Sequence, residues 1–471
     1  MGAHEQPPLH PNKQKTTCFS SWNGGFSKAS FLKAEVCLAT QLSESGSLAI
    51  ASIRRQWPPS SSSSGLAGYA LDLRGRYALA RAGSQDEKGP QNAVLSPLLQ
   101  YVDDTYNFVS SGPRSCNYSD GRWVYAPGHA RRYNGTECDV KDSHNCIRNG
   151  RPDTGYLDWQ WQPAGCHLPA FDAKAFLSAA RGKHVALVGD SMARNQAQSL
   201  ACLLAAEFPH RVVYRDPDYP RSRKPDLWRW AFPSHGVTVS FYWAPFLARA
   251  TGKARNDTLP QNVNHVHLDA PDDRWGADAD TMDVVVLGTG HWPLNGAIYY
   301  KNGEVIGHHA HDELDPATDI GYARPMRMAY RTALDRLSSG GRPRTVVLAT
   351  LSPGHKYEGD TLATMCPRKK PYREGEQELR YLDRELVGLV YEEAEAARAR
   401  NGEGSATKVE VLDVTKLAIM RPDGHPGAYM HRDPFAHEVQ PWMAADCVHF
   451  CLPGPVDTFN EILQHILRKR R

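Results

Sequence analysis

Four short apolar runs recur along the chain, at residues 184–188, 282–287, 345–349 and 409–414, each dominated by valine and leucine. Unbroken runs of this length predict buried parallel strands. Apolar positions at helical spacing fill 171–181, 192–207, 323–337, 375–397 and 457–467, which predicts helices there. Strands alternating with helices give the α/β class: a sandwich around a mainly parallel central sheet. Ligand sites of such sheets gather at the carboxyl ends of the strands. The loops expected there begin at Gly189-Asp190-Ser191, Gly288-Thr289-Gly290-His291-Trp292 and Ser352-Pro353-Gly354-His355. Residues 116–166 are rich in Gly, Pro, Asn and aromatics without periodicity, so an irregular segment is expected. The serine run Ser60–Ser64 behind Pro58-Pro59 reads as flexible linker. The expected organisation is a low-complexity leader over 1–112, a Cys/Trp-rich subdomain over 113–167 and a main domain over 168–471.

Composition narrows the class. A 41% apolar fraction supports a real core but not a membrane bundle, and a net charge of +3 does not suggest a nucleic-acid-binding surface. Terminal Arg468-Lys469-Arg470-Arg471 suits a helix end. Residues 1–112 hold no apolar run near the ~20 residues that span a bilayer, nor a signal-peptide pattern. No Cys-x-x-Cys pair, phosphate-loop glycine pattern or repeat is present, so no metal site or bound cofactor is expected. Of ten cysteines, Cys18 and Cys37 precede the main region, and eight follow: Cys116, Cys138, Cys146, Cys166, Cys202, Cys366, Cys447 and Cys451. Eight such cysteines point to bridges in an oxidising compartment, with 105 pairings open, or else to free buried thiols. The triplets at Asn117, Asn134 and Asn256 are glycosylation acceptors in form, consistent with a secretory route.

Candidate chemistry begins at Ser191. A serine between strand and helix lies beside unpaired N–H groups and the positive end of the helix dipole, which can stabilise an oxyanion. The alternative is that Asp190 or Ser191 merely caps the helix. Asp446-Cys447-Val448-His449 supplies what a nucleophilic serine needs, a base and a carboxylate to orient it. The expected roles are therefore Ser191 as nucleophile, His449 as base and Asp446 as its orienting partner. Arg421-Pro422-Asp423-Gly424-His425-Pro426 offers a second Asp/His pair, but its proline and glycine read as a structural turn, and Asp413 is a further decoy. Trp123, Trp159 and Trp161 read as packing residues.

These motifs carry a resemblance. Cys116 with Gly121-Arg122-Trp123-Val124, Asn145-Cys146-Ile147-Arg148-Asn149-Gly150-Arg151-Pro152-Asp153, Trp159-Gln160-Trp161-Gln162-Pro163, Gly189-Asp190-Ser191, Arg421–Pro426 and Asp446–Gly454 resemble the plant trichome birefringence-like (PC-esterase) polysaccharide O-acetyltransferases. The branch acting on xyloglucan and mannan is the nearest likeness. The resemblance runs from about residue 113 to the C-terminus and implies an SGNH/GDSL-esterase-like fold. It implies acetyl transfer through an acetyl-serine to a hemicellulose, with xyloglucan side chains as the first choice. Mannan or xylan transfer, a polysaccharide acetyl esterase and a non-catalytic wall-binding protein are the alternatives. It further implies Cys116–Cys166, Cys138–Cys202, Cys146–Cys451 and Cys366–Cys447, and a Golgi lumen location. An acetyl donor is required, and its identity is open. Family members usually carry a membrane anchor, so the start of this translation is expected not to be the native one. Many SGNH esterases place an oxyanion-binding asparagine where this chain has Gly288-Thr289-Gly290-His291. The oxyanion and substrate contacts are thus expected from the Ser191 N–H, Asp190 and Arg194 or Asn195, with ordinary solvated helix positions the equal alternative for those two. His291 and Trp292 are expected as a sugar platform, with core packing the equal alternative for Trp292.

Overall fold

The computed structural model describes residues 70–71, 77–78 and 116–468, except 129–131, 217–226, 256–262, 312 and 356–358. Apart from those four residues the leader lies outside the described residues, as do Cys18, Cys37 and Asn256. The residues from 116 onward belong to one compact unit.

Its first element is an antiparallel hairpin of β1 (Gly121–Tyr125) and β2 (Trp159–Pro163), in register through Trp123 and Trp161. Both indoles are buried and meet edge to face at 5.6 Å, and each N–H donates to a main-chain carbonyl, Trp123 to Leu417 and Trp161 to Tyr118. They are packing residues, as expected. Trp159 packs on Tyr125. Cys116–Cys166 and Cys138–Cys202 close this irregular segment and tie it to the main domain, and Cys146–Cys451 and Cys366–Cys447 complete the pairing implied above.

The main domain continues with α1 (Ala173–Ala179), β3 (His184–Gly189), α2 (Ser191–Ala205), β4 (Arg211–Arg215), β5 (Leu227–Phe232) and β6 (Val237–Trp243). Next come β7 (Ala248–Gly252), β8 (Asn264–Pro271), α3 (Asp273–Asp278), β9 (Val284–Gly288), β10 (Ala297–Lys301), β11 (Glu304–His309) and α4 (Ala323–Ser338). The chain closes with β12 (Arg344–Ala349), α5 (Tyr381–Asn401), β13 (Thr407–Leu412), α6 (Thr415–Ile419) and α7 (Asp457–Arg468). The central sheet has the order β13-β12-β9-β3-β6-β5-β4. Its first five strands are parallel, and β5 and β4 add antiparallel neighbours.

Strand residues alternate between two cores, the period-two consequence of the pleat. Val185, Leu187, Val284, Val286 and Val347 face Phe176, Leu200, Phe459 and Leu463, which come from α1, α2 and α7. Ala186, Val188, Val285, Leu287, Val346 and Leu348 face Met326, Tyr330, Leu389 and Val390 of α4 and α5. All four expected strands and all five expected helices are present, with shifted ends. The largest shift is α5, which starts at Tyr381 rather than Gly375. Residues 375–380 are mostly exposed and only Leu379 packs on the core, and the helix begins where the Asp383 carboxylate accepts from the Arg380 main-chain N–H and guanidinium.

A second sheet, β11-β10-β8-β7, packs Val266, Leu268 and Tyr299 near Ala329 of α4. This sheet, with β4, β5 and β6, occupies stretches for which the apolar pattern predicts no element. Their polar and aromatic positions interrupt the runs that mark a fully buried strand, as in Leu227-Trp228-Arg229-Trp230. At the edge that matters, β3 and β9 end side by side, Gly189 against Gly288. A Cβ on Gly189 would lie 1.7 Å from the Gly288 carbonyl oxygen. Glycine there lets the chain turn straight from strand into α2.

Candidate active site

Asp190 is the N-cap of α2: its Oδ1 accepts the Met192 N–H at 2.9 Å, and Ser191 is the first helical residue. The capping and nucleophile readings are thus divided between two neighbours. Asp190 takes the cap, and half-buried Ser191 is left at the positive end of a helix whose first N–H groups have no partner within the helix. Asp190 Oδ2 also accepts the His291 N–H at 3.4 Å. Asp190 therefore braces the α2 start to the loop after β9.

Asp446 and His449 meet as the three-residue spacing allows. Asp446 Oδ1 accepts the Val448 and His449 N–H groups, both at 2.9 Å, and Oδ2 accepts His449 Nδ1–H at 2.7 Å. Burial alone would raise the Asp446 pKa. The His449 charge and these hydrogen bonds outweigh it and hold the carboxyl far below the usual range. With its proton on Nδ1, His449 presents Nε2 as a base, and that atom is buried without a hydrogen-bond partner.

The loop carrying this pair is fastened on every side. Cys366–Cys447 and Cys146–Cys451 flank it. Asp446 exchanges main-chain hydrogen bonds with Gly427, Cys451 N–H donates to Gly424, and His355 N–H donates to the Cys447 carbonyl. Asn195, one turn beyond Ser191 on α2, donates Nδ2–H to the Phe450 carbonyl at 3.0 Å and accepts the Phe450 N–H at 3.2 Å. This clip holds the His449 loop at the first turns of the helix that Ser191 begins.

His144, which the sequence reading overlooks, completes the site from the disulfide-pinned segment. Its ring stacks on His449 with centroids 4.7 Å apart, and its Nδ1 lies 3.3 Å from Asn195 Nδ2. Burial, then the charges of His449, Lys141 and Arg194, hold the His144 pKa well below that of an ordinary histidine. A signal for it existed. His144 stands two residues before Cys146, and His449 two before Cys451, so the Cys146–Cys451 bridge juxtaposes them. The donor atoms of His144, Asp446 and His449 lie within 4.8 Å of one another, the one group among the described residues close enough to hold a metal ion. Asp446 already accepts three N–H bonds there, so carboxylate and imidazole serve each other.

Several of the residues expected to contact substrate have partners inside the protein. Asn195 is fully buried and spends its amide on Phe450, so it is not available as an oxyanion donor. Arg194 is neither solvated nor turned outward: it is buried, with its guanidinium 5.7 Å from the Trp243 ring centroid. His291 Nε2–H donates to the Ser352 carbonyl at 2.8 Å. Half-buried Trp292 packs edge to face on Trp243 at 5.5 Å and Phe246 at 6.4 Å, as its core alternative expects. A small cavity at the strand ends is lined by Asp190, Gly288, Thr289, His291, Thr350 and Ser352. Arg421 and Asp423 form a buried ion pair, and Arg151 donates to the His425 and Asp423 carbonyls, making that segment the expected structural loop. Asp413 accepts from Thr350 and Thr415 and has no histidine partner. Asn117 and Asn134 are exposed, and each Oδ1 accepts from the Ser119 or Thr136 of its own triplet.

Comparison with known proteins matches these two parts. Residues 168–466 match the PC-Esterase model, described as a GDSL/SGNH-like acyl-esterase family found in Pmr5 and Cas1p, and residues 114–167 match the PMR5 N terminal domain. Xyloglucan O-acetyltransferase 1 of Populus trichocarpa is 42% identical over 390 residues, covering 81% of this chain and 88% of that protein. Its Arabidopsis thaliana namesake is 45% identical over 370 residues, 78% of this chain and 83% of that protein. Protein trichome birefringence-like 25 of Arabidopsis thaliana is 34% identical, covering 82% of this chain and 86% of that protein.

Proposed function

Because this chain belongs to the PC-Esterase family of GDSL/SGNH-like acyl-esterases, we propose that it transfers acetyl groups to xyloglucan hydroxyls through an acetyl-Ser191 intermediate. The observation that carries the reading is the Asp446–His449 pair, held at the first turns of α2 by Asn195. His449 Nε2 takes the Ser191 hydroxyl proton as Oγ attacks the acetyl carbonyl of the donor. The negative oxygen that forms faces the N-terminal N–H groups of α2, Ser191 N–H first, and the helix dipole. Nε2–H then protonates the leaving group and acetyl-Ser191 remains. A sugar hydroxyl next gives its proton to His449 and attacks the acetyl carbon, and Nε2–H returns that proton to Ser191 Oγ as the acyl–oxygen bond breaks. Asp446 stabilises the imidazolium in both halves.

Xyloglucan enters from the relatives, whose names state that acceptor. The donor is an activated acetyl ester or thioester, since net transfer runs downhill only from a donor with a higher acyl-transfer potential than the sugar ester it forms. The location proposed is the lumen of the secretory pathway, the Golgi by family likeness. Four disulfides and the exposed Asn117 and Asn134 triplets support an oxidising compartment. No helix among the described residues is long and apolar enough to cross a membrane.

The test uses the full chain from a secretory host, with an acetyl donor and deacetylated xyloglucan, mannan and xylan. Acetate gained by xyloglucan and lost with Ser191→Ala supports the reading. Gain on mannan or xylan alone would reassign the acceptor. Release of acetate from acetylated polymer without transfer would make the protein an esterase.

A further inference from the structure

Two histidines behind the catalytic loop have no part in that chemistry. His355 Nε2 lies 2.7 Å from the Ile419 carbonyl oxygen, His355 Nδ1 lies 2.6 Å from His425 Nε2, and His425 Nδ1 lies 2.7 Å from the carbonyl oxygen of His449. Carbonyl oxygens only accept, so both outer nitrogens must carry protons. Each neutral imidazole has one N–H. Two neutral rings therefore spend both protons on the carbonyls and leave two lone pairs facing each other across the 2.6 Å contact. A third proton, placed between the rings, makes every contact in the row a hydrogen bond.

We propose that His355 and His425 share three ring protons and one positive charge at neutral pH, and that this charged pair positions His449 through its main-chain carbonyl. The charge belongs to the pair and not to either ring. Taken one ring at a time, burial holds both histidines below the ordinary pKa, His425 down to about 3, and what opposes it is the proton shared across the 2.6 Å contact. Repulsion between the rings bars a fourth proton. The two carbonyls work for the single charge, as do the carboxylates nearest the pair: Asp423 and Asp383 toward His355, and Asp446 toward His425. Against it stand Arg380 beside His355 and, whenever it takes up a proton, the His449 ring beside His425, while Arg151 donates to the His425 carbonyl. Tyr372 lies 6.0 Å from the His355 ring, and Phe450 stacks on His425 at 4.9 Å with 6° between planes. Phe450 is also the residue Asn195 clips, so the pair and the clip grip adjacent peptides of one loop.

The proton count stands by itself; its bearing on catalysis rests on His449 being the base. Uniformly ¹⁵N-histidine-labelled full chain reads the count directly. At pH 7, ring-nitrogen shifts and one-bond N–H couplings, assigned by difference from His425→Gln, should show three protonated nitrogens among the four; two would overturn the proposal. Unfolding gives a second reading. A pair that keeps its proton in the fold has a pKa above the ordinary ~6.5 of histidine, so its stability is present below that value and lost as pH rises through the folded one. A glutamine amide at 425 can donate to both the His449 carbonyl and an unprotonated His355 Nδ1, and needs no charge. Calorimetry in two buffers at pH 7 should therefore find about one proton more released on unfolding by the unsubstituted chain than by His425→Gln. Equal release would contradict the proposal. If His425→Gln does not fold, the nitrogen count on the native chain still decides. In the transfer assay, the alkaline fall of kcat, normalised to each protein's own neutral value, should shift with His425→Gln while KM for xyloglucan does not. An unshifted limb would sever the pair from the base.

Discussion

Asn195 grips Phe450 by both main-chain groups, donating to its carbonyl at 3.0 Å and accepting its N–H at 3.2 Å. The side chain belongs to the helix that Ser191 begins, and the peptide it grips adjoins His449. Nucleophile and base come from positions more than 250 residues apart in sequence, and this amide is the side-chain bond that ties the base's loop directly to the nucleophile's helix. Asn195→Asp replaces the donor with an oxygen facing an oxygen. It should cost about 1–3 kcal/mol of stability and, by letting the base drift, up to about 10²-fold in kcat. Denaturant unfolding and steady-state kinetics check the two separately; unchanged kcat would show that the loop holds its place without the clip.

Asp446→Asn tests the orientation of the base. The amide presents N–H to His449 Nδ1 and so favours the tautomer with its proton on Nε2, which cannot accept from Ser191. The expected loss in kcat is about 10³–10⁴-fold, with the fold intact by circular dichroism. A loss below tenfold would mean that another group orients the imidazole.

His144 should show itself in the pH dependence of stability. Its folded pKa is held well below the ordinary value, so below pH ~6.5 the unfolded chain takes up a proton at this residue that the native chain does not. Its contribution is fully present above ~6.5 and declines by about 1.4 kcal/mol per pH unit as pH falls toward the folded value. His144→Phe keeps a stacked ring and removes the titration, so the stability of the unsubstituted chain should fall more steeply between pH 6.5 and 5. Parallel curves would contradict the assignment.

The Cys366–Cys447 bridge closes a span of 81 residues and holds the residue after Asp446. Removing it as Cys366→Ala with Cys447→Ala should lower stability by about 3–5 kcal/mol and reduce kcat even where the protein is folded. Melting curves and activity at a temperature below both transitions measure the two effects.

How much of this was legible in the sequence depended on how each residue does its work. The valine-rich strands announced themselves because both faces are buried, whereas β7 and β8 hid because polar residues alternate through them. Ser191, Asp446 and His449 stood out because their local spacing carries the chemistry. Arg194, Asn195, His291 and Trp292 could not be resolved from the sequence for a common reason. Each lies near the proposed site, but its partners, Trp243, Phe450, Ser352 and Phe246, lie far along the chain, where no local pattern reveals them. His144 and the His355–His425 pair needed the fold too, although the Cys146–Cys451 bridge held the clue to the first.

The central claim is that acetyl rests on Ser191 between donor and sugar. Full chain mixed with acetyl donor and no polysaccharide, quenched in acid within the first turnover and digested, should yield one acetyl group on the peptide containing Ser191. That acetyl should disappear when xyloglucan is added before the quench and reappear on the polymer. Transfer to xyloglucan at full rate by Ser191→Ala, or an acetylated residue other than Ser191 that passes its acetyl to the polymer, would contradict the account.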